Sequence, residues 1–193
     1  MIITEPKWKS WIVETKEPLF TPNQCGQVIE CGRRQRPQKA QIGMGKPGGG
    51  LDTKKRTTTI SWLPFNEMKE MYAQVNSFIL KANRNHFGFE NVHVTEQAQY
   101  TEYPEGGFYD WHMDSDVNMT HEPPVRKISM TVLLSPENQF EGGDLELMAK
   151  GRRAALKQGH AIIFASFLNH RVAPVTRGVR QSLVMWFGGT PFK

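Results

Sequence analysis

The stretch Tyr103-Pro104-Glu105-Gly106-Gly107-Phe108-Tyr109-Asp110-Trp111-His112-Met113-Asp114 decides how this chain is read. Its Pro-Glu-Gly-Gly segment is a turn, and the residues from Gly107 to His112 read as a short strand. Residues i and i+2 of a strand point to one face. His112 and Asp114 therefore present an imidazole and a carboxylate side by side at a strand end. His170, far along the chain, opens another strand and supplies a second imidazole. Two neutral imidazoles and one carboxylate occupy one face of an octahedral ferrous ion and leave the other face open; Mn(II), Co(II) and Ni(II) can substitute. Zinc accepts the same donors.

Each piece is weak by itself. The chain has six histidines, so a His-x-Asp triplet arises easily by chance. His170 alone reads as a satisfied polar group, and Arg180 alone as a surface arginine at a strand end. Together they mean more. Arg180 and Ser182 share a face of the last strand by the same period of two. A guanidinium fork with a hydroxyl beside it binds a carboxylate bidentately with one further donor. The uncharged run Leu183-Val184-Met185-Trp186-Phe187 that follows places this arginine in a pocket. A zinc hydrolase would leave Arg180 unexplained.

Outward from this motif the second half of the chain is a series of short strands. The spans 92–101, 107–112, 126–135, 144–148, 152–157, 160–166, 170–175 and 180–188 are the candidates. Turns such as Pro136-Glu137-Asn138, Glu141-Gly142-Gly143 and Arg177-Gly178 separate them. Many short strands at regular spacing predict two sheets folded face to face. Upstream, 56–63 reads as a strand. Pro64 is expected to open a helix running to about Asn83, on the period of Met68, Met71, Tyr72, Val75, Phe78 and Ile79. Thr21-Pro22-Asn23 reads as a helix start and Gly32 as its stop. Residues 33–56 are basic, glycine-rich and nearly free of apolar side chains, and read as a flexible loop or hairpin finger, a solvated surface or a lid over a substrate. The expected organisation is one domain over 1–193. Helical support with the basic loop lies in 1–91 and the strand-rich core in 92–190. The class is mainly β with flanking helices (α+β), the helices packing outside one sheet.

The chain has 193 residues, a formal net charge of +5 and a sequence pI of about 9.3. That balance only weakly favours an acidic partner. Cys25 and Cys31 are the only cysteines and make neither a zinc spacing nor a disulfide framework, so a cytoplasmic location is expected. No segment is long and apolar enough to span a membrane, and none reads as a signal peptide.

The run from Tyr103 to Asp114 resembles the entry to the prolyl 4-hydroxylase-like branch of the Fe(II)/2-oxoglutarate oxygenases. Arg126-Lys127-Ile128-Ser129-Met130-Thr131-Val132-Leu133-Leu134-Ser135 is similar to its second core strand, and Glu141-Gly142-Gly143-Asp144-Leu145 to the turn that follows. His170-Arg171-Val172-Ala173-Pro174-Val175 and Gly178-Val179-Arg180 resemble its distal histidine and co-substrate arginine. The matches span roughly residues 95–190 and are closest to the small bacterial and phage PKHD-type hydroxylases.

The resemblance implies a double-stranded β-helix, or jelly roll, with iron between its sheets. It implies His112, Asp114 and His170 as metal ligands and catalytic residues. Arg180 would pair with the distal carboxylate of 2-oxoglutarate, with Tyr103 and Tyr109 near that pocket; for both tyrosines the plain alternative is core filling. The family tyrosine near Leu133 is missing, and Ser129, Thr131 or Ser182 is expected to supply that hydrogen bond instead. His160 is assigned to a turn. The reaction implied consumes O2, decarboxylates 2-oxoglutarate to succinate and CO2, and hydroxylates a C–H bond, with ascorbate as reductant. Halogenases of the superfamily lack the carboxylate that Asp114 supplies, so hydroxylation is expected.

The substrate expected from the resemblance is a prolyl residue in a peptide or protein, with 33–56 where relatives carry a finger loop. Trp8, Trp11 and Trp62 read as core or as a peptide groove. Hydroxylation of another amino-acid side chain and dealkylation of nucleic acid are the alternatives. The second is disfavoured, because that family has an arginine where Trp186 stands. A non-catalytic jelly-roll module would not need the triad or Arg180.

Overall fold

The computed structural model describes residues 10–39, 55–115, 124–148, 152–154 and 156–191. In chain order the elements are β1 (Ile12–Glu14), α1 (Pro22–Arg34), β2 (Gln38–Lys39), β3 (Arg56–Thr57), β4 (Thr59–Leu63) and α2 (Lys69–Ala82). A π-helical turn, Asn83–Phe87, extends α2. Then come β5 (His93–Val94), β6 (Ala98–Tyr103), β7 (Phe108–His112), β8 (Val125–Leu133), β9 (Phe140–Gly142) and β10 (Leu145–Leu147). The last are β11 (Arg152–Ala154), β12 (Ala161–Ala165), β13 (His170–Val172), β14 (Val175–Gly178) and β15 (Arg180–Gly189).

The large sheet runs β1-β12-β8-β15-β6-β4-β2, with β5 paired to β15; the small sheet runs β11-β10-β13-β7-β3, and β14 pairs β9. The strand β15 lies at the centre of the large sheet and is covered on both faces. Leu183, Met185 and Phe187 alternate toward the helices, where they join Val28 and Cys31 of α1 and Val75 and Ile79 of α2 in one apolar cluster. Arg180, Ser182, Val184 and Trp186 take the opposite face, toward the small sheet. A second cluster fills the space between the sheets, with Ile162 and Phe164 from one side meeting Leu145, Leu147 and Val172 from the other. This is the expected jelly roll with helices packed outside one sheet.

The helix start at Thr21 is built as predicted. Thr21 Oγ1 accepts from the Gln24 amide at 3.2 Å, and the Gln24 side chain accepts from the Thr21 amide at 2.9 Å, a reciprocal capping box. Gly32 does not stop this helix, which continues to Arg34. A Cβ on Gly32 would lie 2.3 Å from the Tyr100 ring. The glycine is there to let α1 sit close on β6. Pro64 does not open α2 either, since turns occupy the residues up to Met68.

Three predicted strands are divided. The span 56–63 breaks at Thr58, whose hydroxyl donates to the Glu102 carbonyl at 2.6 Å, so Arg56 joins the small sheet and Thr59–Leu63 the large one. The spans 92–101 and 170–175 also split, the latter into β13 and β14 in different sheets. Periodicity reports which face a residue takes but not which partner the strand finds. Most of the basic segment 33–56, and Trp8, lie outside the described residues, while Arg33 and Arg34 form the last turn of α1.

Candidate metal centre

His170 and His112 are a directly opposed pair on the neighbouring strands β13 and β7, at a bulge. Asp114 lies just past β7. Its amide and that of Ser115 both donate to the Ser166 carbonyl, at 2.9 and 3.0 Å, which turns the chain across the end of the large sheet. These two constraints bring one ligand atom from each of the three side chains within 4.8 Å of the others. Asp114 Oδ1 is 3.7 Å from His112 Nε2, and Oδ2 is 3.5 Å from His170 Nε2.

The hydrogen bonds around the triad fix which ring nitrogen faces its centre. His112 Nδ1 lies 2.7 Å from the Asp110 carbonyl and His170 Nδ1 lies 2.9 Å from the Leu168 carbonyl. A carbonyl only accepts, so each Nδ1 carries its proton and donates. Both Nε2 lone pairs are left for a cation, the tautomer a histidine ligand needs. Ser129 Oγ donates to Asp114 Oδ2 at 2.7 Å and lies 2.9 Å from Ser166 Oγ. The ring of Tyr109 stacks on His112 with centroids 3.5 Å apart, and Phe164 meets His170 edge-on at 4.7 Å.

Burial pushes the His112 imidazole down to about 3, with His170 adding to the effect and Asp114 opposing it. At Asp114 burial acts to raise the carboxyl. The two imidazoles and the Ser129 hydroxyl outweigh it, and the net direction is down. Neutral imidazoles and an ionised carboxylate are the states a divalent metal requires. The donor set is hard and borderline, two nitrogens and one oxygen, and fits Fe(II).

Behind this centre Arg180 is 2% exposed. It pairs across the ladder with Tyr103, and its guanidinium lies 5.5 Å from the centroid of that ring. Its Nη1 donates to Ser182 Oγ at 3.1 Å. Desolvation lowers its pKa, opposed by Tyr103 and Asp144. Leu133 stands directly across from Ser182 on β8. Gly143, with φ of +68°, is pressed against the arginine; a Cβ there would lie 2.7 Å from Arg180 Cδ.

The structure therefore groups the expected residues in two places. His112, Asp114 and His170 meet at one point, with Tyr109 and Ser129 in direct contact with them. Arg180, Ser182 and Tyr103 form a second cluster. Ser129, expected toward the co-substrate, spends its hydroxyl on Asp114 and Ser166. His160 sits in a turn, its amide donating to the Lys157 carbonyl at 3.0 Å. Trp62 tilts against Trp186 at 6.2 Å, while Trp11 is exposed and meets Phe167 edge-on. Sequence reasoning missed Ser166, the carbonyls of Asp110 and Leu168, and Arg56, which lies 4.3 Å over the Tyr109 ring. Carbonyls have no sequence signature, and Arg56 looked like the last charge of a basic loop.

A jelly roll with this donor set and a buried arginine defines the class. The family model of the 2OG-Fe(II) oxygenase superfamily matches residues 98–188. A PKHD-type hydroxylase of Colwellia psychrerythraea is 31% identical over 179 residues, covering 89% of this chain and 76% of the relative. One from Idiomarina loihiensis is 40% identical over 87 residues, covering 44% of this chain and 38% of the relative. The fold is shared with a Pseudomonas putida prolyl-4-hydroxylase at a TM-score of 0.68 and 21% identity, covering 92% of each chain. It is also shared with a Trichoplax adhaerens prolyl hydroxylase solved with a hypoxia inducible factor peptide fragment, at 0.71 and 18%, covering 92% of this chain and 83% of that one. The chain belongs to the 2OG-Fe(II) oxygenase superfamily, among its PKHD-type hydroxylases. Iron(II) and 2-oxoglutarate are its cofactor and co-substrate. No helix among the described residues is long and apolar enough to cross a membrane.

Proposed function

We propose that this enzyme hydroxylates a prolyl residue in a peptide or protein. His112 Nε2, His170 Nε2 and an Asp114 oxygen hold the iron, and the guanidinium of Arg180 pairs with the distal carboxylate of 2-oxoglutarate. Bound iron supplies the oxidative chemistry that couples decarboxylation of the keto-acid to C–H hydroxylation. The chain's own residues bind, orient and exclude water. Both histidines keep the proton on Nδ1 and donate it to the backbone carbonyls of Asp110 and Leu168, which keeps the rings from turning. Ser129 holds one carboxylate oxygen of Asp114. Ser182, already bonded to Arg180, offers its hydroxyl beside the same carboxylate. Tyr103 walls the pocket, and the buried side chains of Leu133, Leu145 and Phe164 keep it dry. No side chain has to act as a general base.

The observation that carries the co-substrate reading is a guanidinium 2% exposed and hydrogen-bonded only to a serine hydroxyl among the described residues. A buried cation needs an anion. The prolyl reading rests on the relatives, and on Trp186, an indole wall beside the centre that Arg126 covers at 3.8 Å. Incubation with proline-rich peptides, Fe(II), 2-oxoglutarate and ascorbate tests it by mass spectrometry. The expected product is a peptide heavier by one oxygen on proline, with succinate formed in step. Modification of another residue type, or of single-stranded DNA instead, would reject the prolyl assignment. Loss of coupled turnover and of metal binding in His112→Ala and Asp114→Ala is expected alongside.

A further inference from the structure

We infer that Arg56 and Gln99 form a second anion-binding subsite, one that anchors a carboxylate carried by the substrate. It lies beside the metal centre and apart from the Arg180 pocket. The inference rests on the hydroxylase reading above and adds a substrate chemistry to it.

Arg56 is 9% exposed, in β3 at the edge of the small sheet, opposite Tyr109. Its side chain reaches toward the large sheet, where Nη2 donates to Gln99 Oε1 at 3.1 Å. Its Nε is buried and has no hydrogen-bond partner. The guanidinium lies 4.3 Å from the centroid of the Tyr109 ring, and that ring is itself stacked on His112. The subsite is thus one aromatic ring away from a metal ligand. Among the described residues no carboxylate pairs with Arg56.

Arg126 shows what a satisfied arginine looks like. It is bidentate to Glu96 at 2.7 and 2.6 Å and stacks on Trp186. Arg56 has a neutral amide in place of that carboxylate. Charge balance points the same way. The iron's two positive charges and Arg180 are matched by Asp114 and the two carboxylates of 2-oxoglutarate, which leaves Arg56 without a matching carboxylate among the described residues. The buried polar atoms without a partner on this side of the large sheet include Trp186 Nε1, a donor, and the Thr101 hydroxyl, which can donate, beside Arg56 Nε itself. A peptide carbonyl would accept such hydrogen bonds but would leave the charge uncompensated. A carboxylate meets both demands, and a planar guanidinium suits it best. Gln99 fits the role as well. It orients Arg56 without neutralising it, so the counter-charge is left for the ligand. The carboxylate can come from an acidic side chain next to the reacting residue or from the end of a peptide.

Equilibrium binding to the protein loaded with Mn(II) and 2-oxoglutarate separates these. The probes are short peptides with a central proline, flanked in turn by Glu or Gln, each with a free or an amidated carboxyl end. A twin set carries alanine for proline. The expected result is a preference of roughly tenfold or more for a carboxylate over its amide isostere at one position. Whether that position is a side chain or the chain end names the source. Arg56→Met is expected to erase the preference while binding of the amide peptides persists. Should that variant unfold, Gln99→Glu serves: its new carboxylate pairs with Arg56 internally, which raises the melting temperature and abolishes the preference. Equal binding of carboxylate and amide forms throughout, or a preference that survives both substitutions, overturns the inference. A carboxylate preference in the alanine twins with no oxidation of proline sinks the prolyl reading and leaves this subsite standing. Proline oxidation without any carboxylate preference does the reverse.

Discussion

At the scale of the residue, two side chains outside the triad are expected to decide how well the ligands are held, Ser129 the metal and Arg180 the keto-acid. Ser129 fixes one oxygen of Asp114 from the opposite sheet. Its removal leaves Asp114 free to turn away, and partners of this kind are worth about 10–100-fold in metal affinity. Ser129→Ala is expected to weaken Mn(II) or Fe(II) binding by roughly that factor in direct titration, without loss of fold. Arg180 is the other case. Truncating one partner of a buried charge pair costs roughly 2–5 kcal/mol. Arg180→Ala should therefore raise the KM for 2-oxoglutarate on the order of a hundredfold or more. An unchanged KM would place the keto-acid elsewhere. The triad and this arginine were legible in the sequence because period-two spacing reports which side chains share a face. Ser129 was singled out too, but for the wrong neighbour, since spacing does not say which strand lies across from it.

At the scale of the element, turns and breaks place these side chains. The Gly142-Gly143 turn holds two successive residues at φ of +71° and +68°, a region that costs an L side chain about 1 kcal/mol or more. At Gly143 there is also no room, because Arg180 Cδ lies where a Cβ would go. Gly143→Ala is expected to displace the arginine. The signature is a KM for 2-oxoglutarate raised roughly tenfold with metal affinity little changed. An effect on metal binding alone would show that the turn acts on the triad instead. The break at Thr58 works in the same way. By sending β3 to one sheet and β4 to the other, it points Arg56 at Gln99. An uninterrupted strand, as the threonine-rich pattern suggests, would have kept both halves in one sheet. Gly32 is the opposite lesson: a glycine read as a helix stop is a packing site against Tyr100. A single sequence does not distinguish a glycine needed for φ from one needed for space.

At the scale of the whole molecule, the centre couples the two sheets and the proton balance of the fold. His112 and His170 belong to the small sheet, while Asp114 is held by Ser129 of the large one. A bound metal should raise the melting temperature by mass action, and by less in Ser129→Ala. Without metal, acid acts on the same groups. The His112 imidazole is pushed from its ordinary 6.5 down to about 3 in the folded chain. Between those values the unfolded chain binds a proton that the folded chain refuses. Stability is therefore complete above about pH 6.5 and falls as the pH drops toward 3. Asp114, also shifted down, loses its contribution at lower pH still, in the same direction. The melting temperature of the metal-free protein is expected to decline from about pH 7 to pH 5, and more shallowly in His112→Ala. Equal slopes in the two proteins would remove His112 as the cause.

By itself the sequence determined what depends on local order. The strand-rich half, the amphipathic helices, the Thr21 cap, and the candidate metal and co-substrate residues all follow from periods of two and of 3.6 and from donor chemistry. Tertiary structure alone decided what depends on pairing between distant segments. It set Ser129 on Asp114, Gly143 against Arg180, and Arg56 beside Tyr109 with, among the described residues, only an amide to bond. These contacts join strands far apart in the chain. Strand partners are chosen by the closing of two sheets around one core, a global packing outcome that no local spacing encodes.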